Sequence, residues 1–301
     1  MLLRVGSFFL LCVFISLGQS AFAALTVDVT SPTTSWTPIT YSNNNYPDPS
    51  DDQQTGSGEG DIVGNQSHPS VYVAFGDAGT PSLTDGVLGL RIRLGADDNP
   101  AGFKGALFVG IDANADGALD LFIGVDNSGS NATIGIWNPG PGSNTSPNTT
   151  SIVSAPLVSY TLTALNYSWT AVNTTIDPSV GTGTDLNNDG KNDYFLTFTV
   201  QFADIVAQLA AKGISVNENS SFAYVVATAT QANALNQDLN GVGKNYDGNA
   251  TWSSLGIIAN PITAAGIEVP EPSAGLVAAM IAALAIAHAT FRASAKRSAA
   301  P

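Results

Sequence analysis

Short apolar stretches that alternate with turn-rich polar sequence dominate the middle of this chain. Val71–Phe75, Val87–Leu94 and Tyr194–Phe202 each place an apolar side chain at every second position, which is the period of a β-strand. Further strands are predicted over Leu25–Val29, Lys104–Ile111, Leu119–Val125, Ala132–Trp137, Leu157–Leu165, Tyr167–Val172 and Phe222–Thr228. Because Gly, Pro, Asn and Asp separate these stretches, the pattern predicts an all-β fold of β-sandwich or jelly-roll type.

Side-chain periodicity gives two further local predictions. Phe202, Ile205, Val206 and Leu209 recur at helical spacing, so one short helix is expected after the strand that ends near residue 202. Within 87–94 the alternation places Arg91 and Arg93 on the face opposite the apolar side chains. We therefore expect both guanidinium groups to lie on the solvent face of a half-buried strand.

The N-terminal sequence is typical of a secretory signal peptide. Residues 1–23 combine Arg4, an apolar run over 8–17 and the small-x-small sequence that ends at Ala23. This predicts an N-terminal signal helix, export across the inner membrane, and a mature β-rich ectodomain over 24–265. The alternative is an uncleaved anchor, although the apolar run is short for a span of about 20 residues.

The composition restricts the chemistry available to the exported part. Cys12 is the only cysteine of the 301-residue chain and lies in the leader, so the ectodomain has no disulfide, thiol nucleophile or thiolate ligand. The chain has 24 acidic and 10 basic residues and a formal net charge of −14, so nucleic acid is not an expected partner. The acidic excess fits either a solvated surface that resists aggregation or divalent-cation binding.

The C-terminal sequence carries three elements in order. Pro270, Glu271 and Pro272 precede a nearly uncharged run, Ala274–Phe291. Basic residues follow this run: Arg292, Lys296 and Arg297. The run is close to the ~20 residues that span a bilayer, and the basic residues indicate a cytoplasmic end. We therefore assign 266–301 to a tail with a transmembrane helix over 274–291.

This arrangement behind a signal peptide resembles the PEP-CTERM sorting domain, and Pro270, Glu271 and Pro272 carry the match. The resemblance implies recognition by an exosortase, a membrane-embedded processing enzyme. It also implies a protein that is exported by a Gram-negative bacterium and is linked to exopolysaccharide or biofilm. It implies that the span anchors the protein before processing, after which the protein is at the cell surface or extracellular. The ectodomain is loosely similar to uncharacterised PEP-CTERM ectodomains, which implies no activity. A plain C-terminal anchor is the alternative.

Two Asp-rich loops carry the clearest chemical motif. Each has side-chain oxygens at positions 1, 3, 5 and 9 and a glycine at position 6, and Ca²⁺ takes about six to eight oxygen ligands. The backbone carbonyl of position 7 adds a further oxygen. The predicted ligands are Asp112, Asn114, Asp116, Ala118 and Asp120 in the first loop, and Asp185, Asn187, Asp189, Lys191 and Asp193 in the second.

The two loops resemble the calcium loops of EF-hand, dockerin and thrombospondin type 3 proteins. They depart from the EF-hand because position 12 is Ile123 or Leu196 instead of Glu, and because a strand-like segment follows. We therefore expect structural Ca²⁺ between strands, not a calcium sensor. The alternative is that the Asp-Asn-Gly sequences only form hairpin turns. For the less complete stretch 238–247, a turn is the preferred interpretation.

Residues suited to catalysis are sparse in the exported part. His68 is the only histidine of the ectodomain 24–265, and no nucleophile-elbow sequence accompanies it. The glutamates of the ectodomain are Glu59 and Glu218, with Glu268 at the start of the tail, so a carboxylate pair for glycoside hydrolysis is an alternative with few candidates. A carbohydrate-binding module for exopolysaccharide is another alternative, because aromatic rings can stack on sugars. The chain's tryptophans are Trp36, Trp137, Trp169 and Trp252. We expect a non-catalytic surface or matrix-associated protein.

Overall fold

A computed structural model describes residues 27–41, 48–55, 57–77, 79–99, 102–130 and 132–267. The predicted signal peptide, the Pro270-Glu271-Pro272 motif and the predicted span 274–291 lie outside the described residues. Among the residues that are described, none of the helices combines the length and the apolar character needed to cross a bilayer.

Two antiparallel sheets make up the described fold. The strands are β1 (Thr37–Pro38), β2 (Val71–Gly76), β3 (Val87–Leu94), β4 (Ala106–Asp112), β5 (Leu121–Asp126), β6 (Thr133–Trp137), β7 (Val158–Thr161), β8 (Tyr167–Ala171), β9 (Tyr194–Gln201), β10 (Ser221–Ala229), β11 (Asp238–Leu239) and β12 (Ile262–Thr263). The first sheet has the order β1-β2-β3-β9-β8, and the second has the order β11-β10-β4-β5-β6-β7, with β12 also pairing with β10. The all-β prediction is confirmed.

The predicted strand over 25–29 is wrong in its described part, because residues 27–29 lead into a turn. The carboxylate of Asp28 accepts a hydrogen bond from the backbone N–H of Thr30 at 2.8 Å, and its carbonyl accepts one from the N–H of Ser31 at 3.1 Å. An aspartate whose side chain accepts a hydrogen bond from the backbone N–H two residues later favours a turn over an extended strand.

The predicted helix is present as α1, Phe202–Ala210, and it follows β9 directly. Phe202, Ile205 and Leu209 of its apolar stripe are buried, as the helical spacing predicts, and Val206 is half-buried against the same core. A second helix, α2, covers Trp252–Leu255 and was not predicted. Its single turn is too short to produce a periodic pattern, so the sequence offers only the capping residue Thr251 as a signal.

Three clusters of buried apolar side chains cover both faces of each sheet. The largest combines residues from both sheets, such as Leu90 of β3 and Val109 of β4. The second lies on the other face of the second sheet around Trp137 and Trp252. The third lies on the other face of the first sheet and includes Trp36. Loop segments therefore bury faces that strand alternation alone assigns to solvent.

This covering of the first sheet makes the prediction for Arg91 and Arg93 wrong. Both side chains are 0% exposed. Arg91 donates to the carbonyl of Val29 at 3.0 Å and lies 4.4 Å from the ring centroid of Trp36. Arg93 forms an ion pair with Asp193. The alternation of the strand was predicted correctly, but the segment that covers its second face comes from elsewhere in the chain.

Candidate calcium loops and a buried carboxylate group

The two predicted calcium loops have the same backbone conformation. In the first loop, Ala115 and Gly117 at positions 4 and 6 have left-handed φ values of 60° and 81°. In the second loop, Asn188 and Gly190 at the same positions have values of 59° and 84°. Left-handed residues are uncommon outside glycine, so this match indicates that the two loops form the same local structure.

The same three backbone hydrogen bonds orient the carboxylates in both loops. The carboxylate at position 1 accepts a hydrogen bond from the backbone N–H of position 6. The carboxylate at position 5 accepts one from the N–H of position 7, and the carboxylate at position 9 accepts one from the N–H of position 2. In the first loop the acceptor–donor pairs are Asp112–Gly117 (3.0 Å), Asp116–Ala118 (2.9 Å) and Asp120–Ala113 (2.9 Å). In the second they are Asp185–Gly190 (2.9 Å), Asp189–Lys191 (2.8 Å) and Asp193–Leu186 (3.2 Å).

The loops lead into interior strands of different sheets. The first begins at Asp112, the last residue of β4, and enters β5 of the second sheet. The second enters β9 of the first sheet. The position-3 amides also differ, because the Asn114 side chain accepts from the N–H of Asp116 at 3.0 Å, whereas Oδ1 of Asn187 is buried without a hydrogen bond.

Position 9 has a different electrostatic environment in the two loops. Asp193 is fully buried and pairs with Arg93 at 2.5 Å. Burial raises the pKa of Asp193 to about 6, and the Arg93 guanidinium opposes that rise. Burial also raises the pKa of Asp120. The N–H of Ala113 opposes that rise, the carboxylates of the same loop add to it, and Lys212 opposes it least. Because Arg93 neutralises Asp193, the first loop retains more negative charge for a cation than the second. Calcium affinity follows the number of ligand charges, so the first loop is the stronger candidate site.

A third group of carboxylates lies outside both loops and was missed from the sequence. Asp48, Asp52 and Asp238 are 3%, 7% and 4% exposed, and one oxygen of each lies within 4.8 Å of the other two. Among the described residues this is the one group of three metal-ligating acidic or histidine side chains with that spacing. Two of its members come from the polar loop near residue 50 and the third from β11, so no local spacing reveals it.

Backbone N–H groups position this third group. The buried carboxylate of Asp61 accepts from the N–H groups of Asp51 at 3.0 Å and Asp52 at 3.3 Å. It thereby holds the turn at Asp51, whose φ is 63°. Asp238 accepts from the N–H of Ile62 at 2.6 Å. The 238–247 turn is confirmed, since Leu239 bridges to Val242 there; its first residue also takes part in the buried group.

Burial and mutual repulsion raise the pKa values in the third group. Burial is the largest cause for Asp48 and Asp238, whose pKa values are well above the ordinary range, and repulsion between the carboxylates adds to it. Burial and the charge of Asp61 raise the pKa of Asp52 to about 6, and the side chain of Asp238 and, to a smaller extent, Lys244 oppose the rise. Like charges that are removed from water favour neutralisation by a proton or a bound cation.

The tryptophans considered for sugar binding and the glutamate considered for glycoside hydrolysis lie partly or fully inside the fold. Trp36, Trp137 and Trp252 are buried in the clusters that cover the sheets. Trp169 is half-buried and stacks on Tyr194 with a centroid distance of 4.9 Å. The tryptophans therefore do not form an exposed row. Glu59, considered for glycoside hydrolysis, is 2% exposed and accepts from the N–H of Lys104 at 2.9 Å.

Comparisons of this chain with protein-family models, with curated proteins and with solved structures found no match.

Proposed function

We propose that this protein is an exported, non-catalytic surface or matrix-associated protein with a jelly-roll-like β-sandwich that is braced by Ca²⁺. The single observation that carries the proposal is the shared conformation of loops 112–120 and 185–193. Both loops have left-handed positions 4 and 6 and the same three carboxylate-to-backbone hydrogen bonds. A cation in each loop would restrain the entry to an interior strand of each sheet.

The sorting part of the proposal rests on the two chain ends. The leader 1–23 and the tail with Pro270, Glu271 and Pro272 resemble those of exosortase substrates. In this proposal the exosortase is the processing partner, and the span 274–291 holds the protein in the inner membrane until then. Replacing Glu271 and both prolines by alanine should leave the chain in the membrane fraction, whereas the wild type is released. Unchanged release would show that the triplet is not the recognised element, and retention of the wild type as well would indicate a plain anchor.

The calcium brace is tested by thermal unfolding of the full chain in mild detergent, with Ca²⁺ and with chelator. A ligand that binds only the folded state at 100 times its Kd adds about 2.7 kcal/mol, and for a domain of this size each kcal/mol is worth about 2–4 °C. We expect a Tm rise of this order for each occupied loop in wild type and its loss in Asp116→Ala/Asp189→Ala.

The matched control is Asp126→Ala/Asp247→Ala. The carboxylates of Asp126 and Asp247 each accept a hydrogen bond from the backbone N–H two residues later, at 3.0 Å. Asp116 and Asp189 accept the same kind of hydrogen bond, but only they belong to a repeated loop. The control should retain the calcium-dependent rise. Equal Tm values with calcium and with chelator in the wild type would reduce both loops to ordinary turns.

A carbohydrate-binding role is the second candidate, because a polar cavity of 520 Å³ adjoins the second loop. Its lining includes Asp51, Asp98, Asn187, Asp189 and Lys191. Hydroxyl-rich ligands suit such a lining, and Asp189 would connect their binding to calcium. Retention on immobilised exopolysaccharide with calcium, and release by chelator, would support this role. Absence of retention would oppose it, and retention that chelator does not change would oppose only the link to calcium.

A further inference from the structure

The buried carboxylate group Asp48, Asp52 and Asp238 lies where residues 48–64 meet both sheets. The N–H of Val63 donates to the carbonyl of Arg93 in β3 at 3.1 Å, which joins this segment to the first sheet. The N–H of Ile62 donates to Asp238 of β11 at 2.6 Å, which joins it to the second sheet. The carboxylate group is therefore placed to connect the segment to both sheets.

Several oxygens of the group are buried without a hydrogen bond. Oδ2 of Asp48 and both carboxylate oxygens of Asp52 accept none, although both residues are more than nine-tenths buried. The remaining oxygen of Asp48 accepts from the N–H of Gly241. Backbone donors thus hold Asp48 and Asp238 in place, while Oδ2 of Asp48 has no protein partner and the carboxylate of Asp52 faces the side chain of Asp238, which is itself an acid. Buried polar atoms in native proteins are almost always satisfied, so these oxygens indicate a missing ligand.

No basic side chain among the described residues forms an ion pair with this group. The ion pairs in the described part of the chain are Arg93–Asp193 and Lys191–Asp98. Lys244 lines the same cavity as Asp52 but directs its ammonium to the carbonyl of Asp51 at 3.4 Å. Three neighbouring carboxylates removed from water without a counter-charge are unfavourable. Either protons or a cation must neutralise them.

We propose that Asp48, Asp52 and Asp238 form a third divalent-cation site that joins the segment 48–64 to both sheets. An all-oxygen set of carboxylates selects hard cations, Ca²⁺ or Mg²⁺, and disfavours soft transition metals. Water would complete the coordination. A cavity of 490 Å³ lined by Asp52, Lys244 and Tyr246 gives the cation a route from solvent.

Asp52→Asn tests the site by the sign of its effect on the Tm of the full chain. This isosteric change removes one ligand charge at the residue whose carboxylate accepts no hydrogen bond from the backbone N–H of another residue. In chelator it should raise the Tm, because it relieves repulsion between the carboxylates. With saturating Ca²⁺ or Mg²⁺ it should lower the Tm below that of wild type, because a ligand is lost. A rise under both conditions would overturn the proposal and identify protons as the neutralising species.

Asp51→Asn is the matched control, since it removes the same charge from the adjacent, exposed residue. Its left-handed φ of 63° also suits asparagine. The difference between the Tm with cation and the Tm in chelator should be the same in this variant as in wild type.

A count of bound cations makes the test independent of the two loops and of variant stability. In the Asp116→Ala/Asp189→Ala background, equilibrium dialysis against Ca²⁺ or Mg²⁺ should still find one cation per chain. Adding Asp52→Asn should abolish it. A loop-variant chain that folds and binds neither ion would overturn the third site, whatever the loops do in wild type.

Discussion

Arg91 and Arg93 lie two positions apart on β3, and only Arg93 has an acidic partner in contact. Arg91 is stabilised by neutral groups, through hydrogen bonds to Thr197 and to the carbonyl of Val29, each at 3.0 Å. Burial lowers the pKa of Arg91 to about 10. Substituting each residue in turn therefore distinguishes two contributions to the free energy of unfolding. One is that of a buried ion pair, and the other is that of a buried cation held by neutral acceptors.

Arg93→Met should destabilise the full chain by about 3–5 kcal/mol, because it leaves the charge of Asp193 buried and unpaired. Arg91→Met should cost less, about 1–2 kcal/mol, because it removes hydrogen bonds to uncharged acceptors without leaving a charged partner. Urea unfolding of the two variants against wild type measures both free energies. Equal losses of unfolding free energy in the two variants would show that pairing with Asp193 stabilises the fold no more than hydrogen bonds to uncharged acceptors do.

Glu59→Gln should change the pH dependence of stability. Burial raises the pKa of Glu59 above its ordinary value of 4.5, and the Asp97 carboxylate adds to the rise. The folded state therefore binds this proton more tightly than the unfolded state. Its stabilising contribution is complete below the ordinary pKa and is lost as pH rises through the raised folded value. The neutral variant should thus have a higher Tm than wild type at about pH 7.

The advantage of Glu59→Gln should disappear at about pH 4, where the wild-type carboxyl is protonated in both states. Thermal unfolding in chelator across this range tests the sign, since chelator removes metal effects. Glu59 also raises the pKa of Tyr167, which does not titrate in this window. A Tm difference that is independent of pH would contradict the assignment.

At the element scale, the two predicted calcium loops depend on left-handed glycines. Gly117 has a φ of 81°, and a Cβ added there would meet nothing within 4 Å. Gly117→Ala therefore probes backbone strain without a steric clash, and we expect a loss of about 1–2 kcal/mol in denaturant unfolding. Gly129, which is equally open but has no left-handed φ, is the control and should lose much less when changed to alanine.

The strands themselves follow local rules, and their packing does not. Val71–Gly76 and Val87–Leu94 form where alternation predicts them, because pleating places every second side chain on one face. The same pattern cannot reveal that a distant segment, which includes Trp36, covers the other face. Alternation thus identifies the strand but assigns its polar face to solvent by default.

At the scale of the whole molecule, the described fold continues into the predicted tail. Ile267 lies within 266–301 but is only 4% exposed and belongs to the largest apolar cluster. The preceding segment is held by β12, which pairs with β10, and by the N–H of Ala265, which donates to the carbonyl of Glu218 at 2.9 Å. The first two residues of the predicted tail, 266 and 267, thus belong to the folded core.

Ile267→Ala should destabilise the full chain by about 2–5 kcal/mol, as expected for a buried isoleucine whose removal leaves a cavity. The half-buried Ile262 is the comparison, and Ile262→Ala should cost less. Urea unfolding measures both changes. A neutral effect of Ile267→Ala would place the boundary of the folded domain before residue 267.

The sequence by itself determined the features that depend on neighbouring residues. Alternation located the strands, helical spacing located α1, and the Asp-Asn-Asp-Gly order located two loops that share one conformation. Only the tertiary structure decided which side chains are buried and which carboxylates meet. Arg93 with Asp193, and Asp48 and Asp52 with Asp238, are brought together across long stretches of chain. The physical reason is that strand periodicity acts through adjacent residues, whereas burial and charge proximity depend on how distant segments pack.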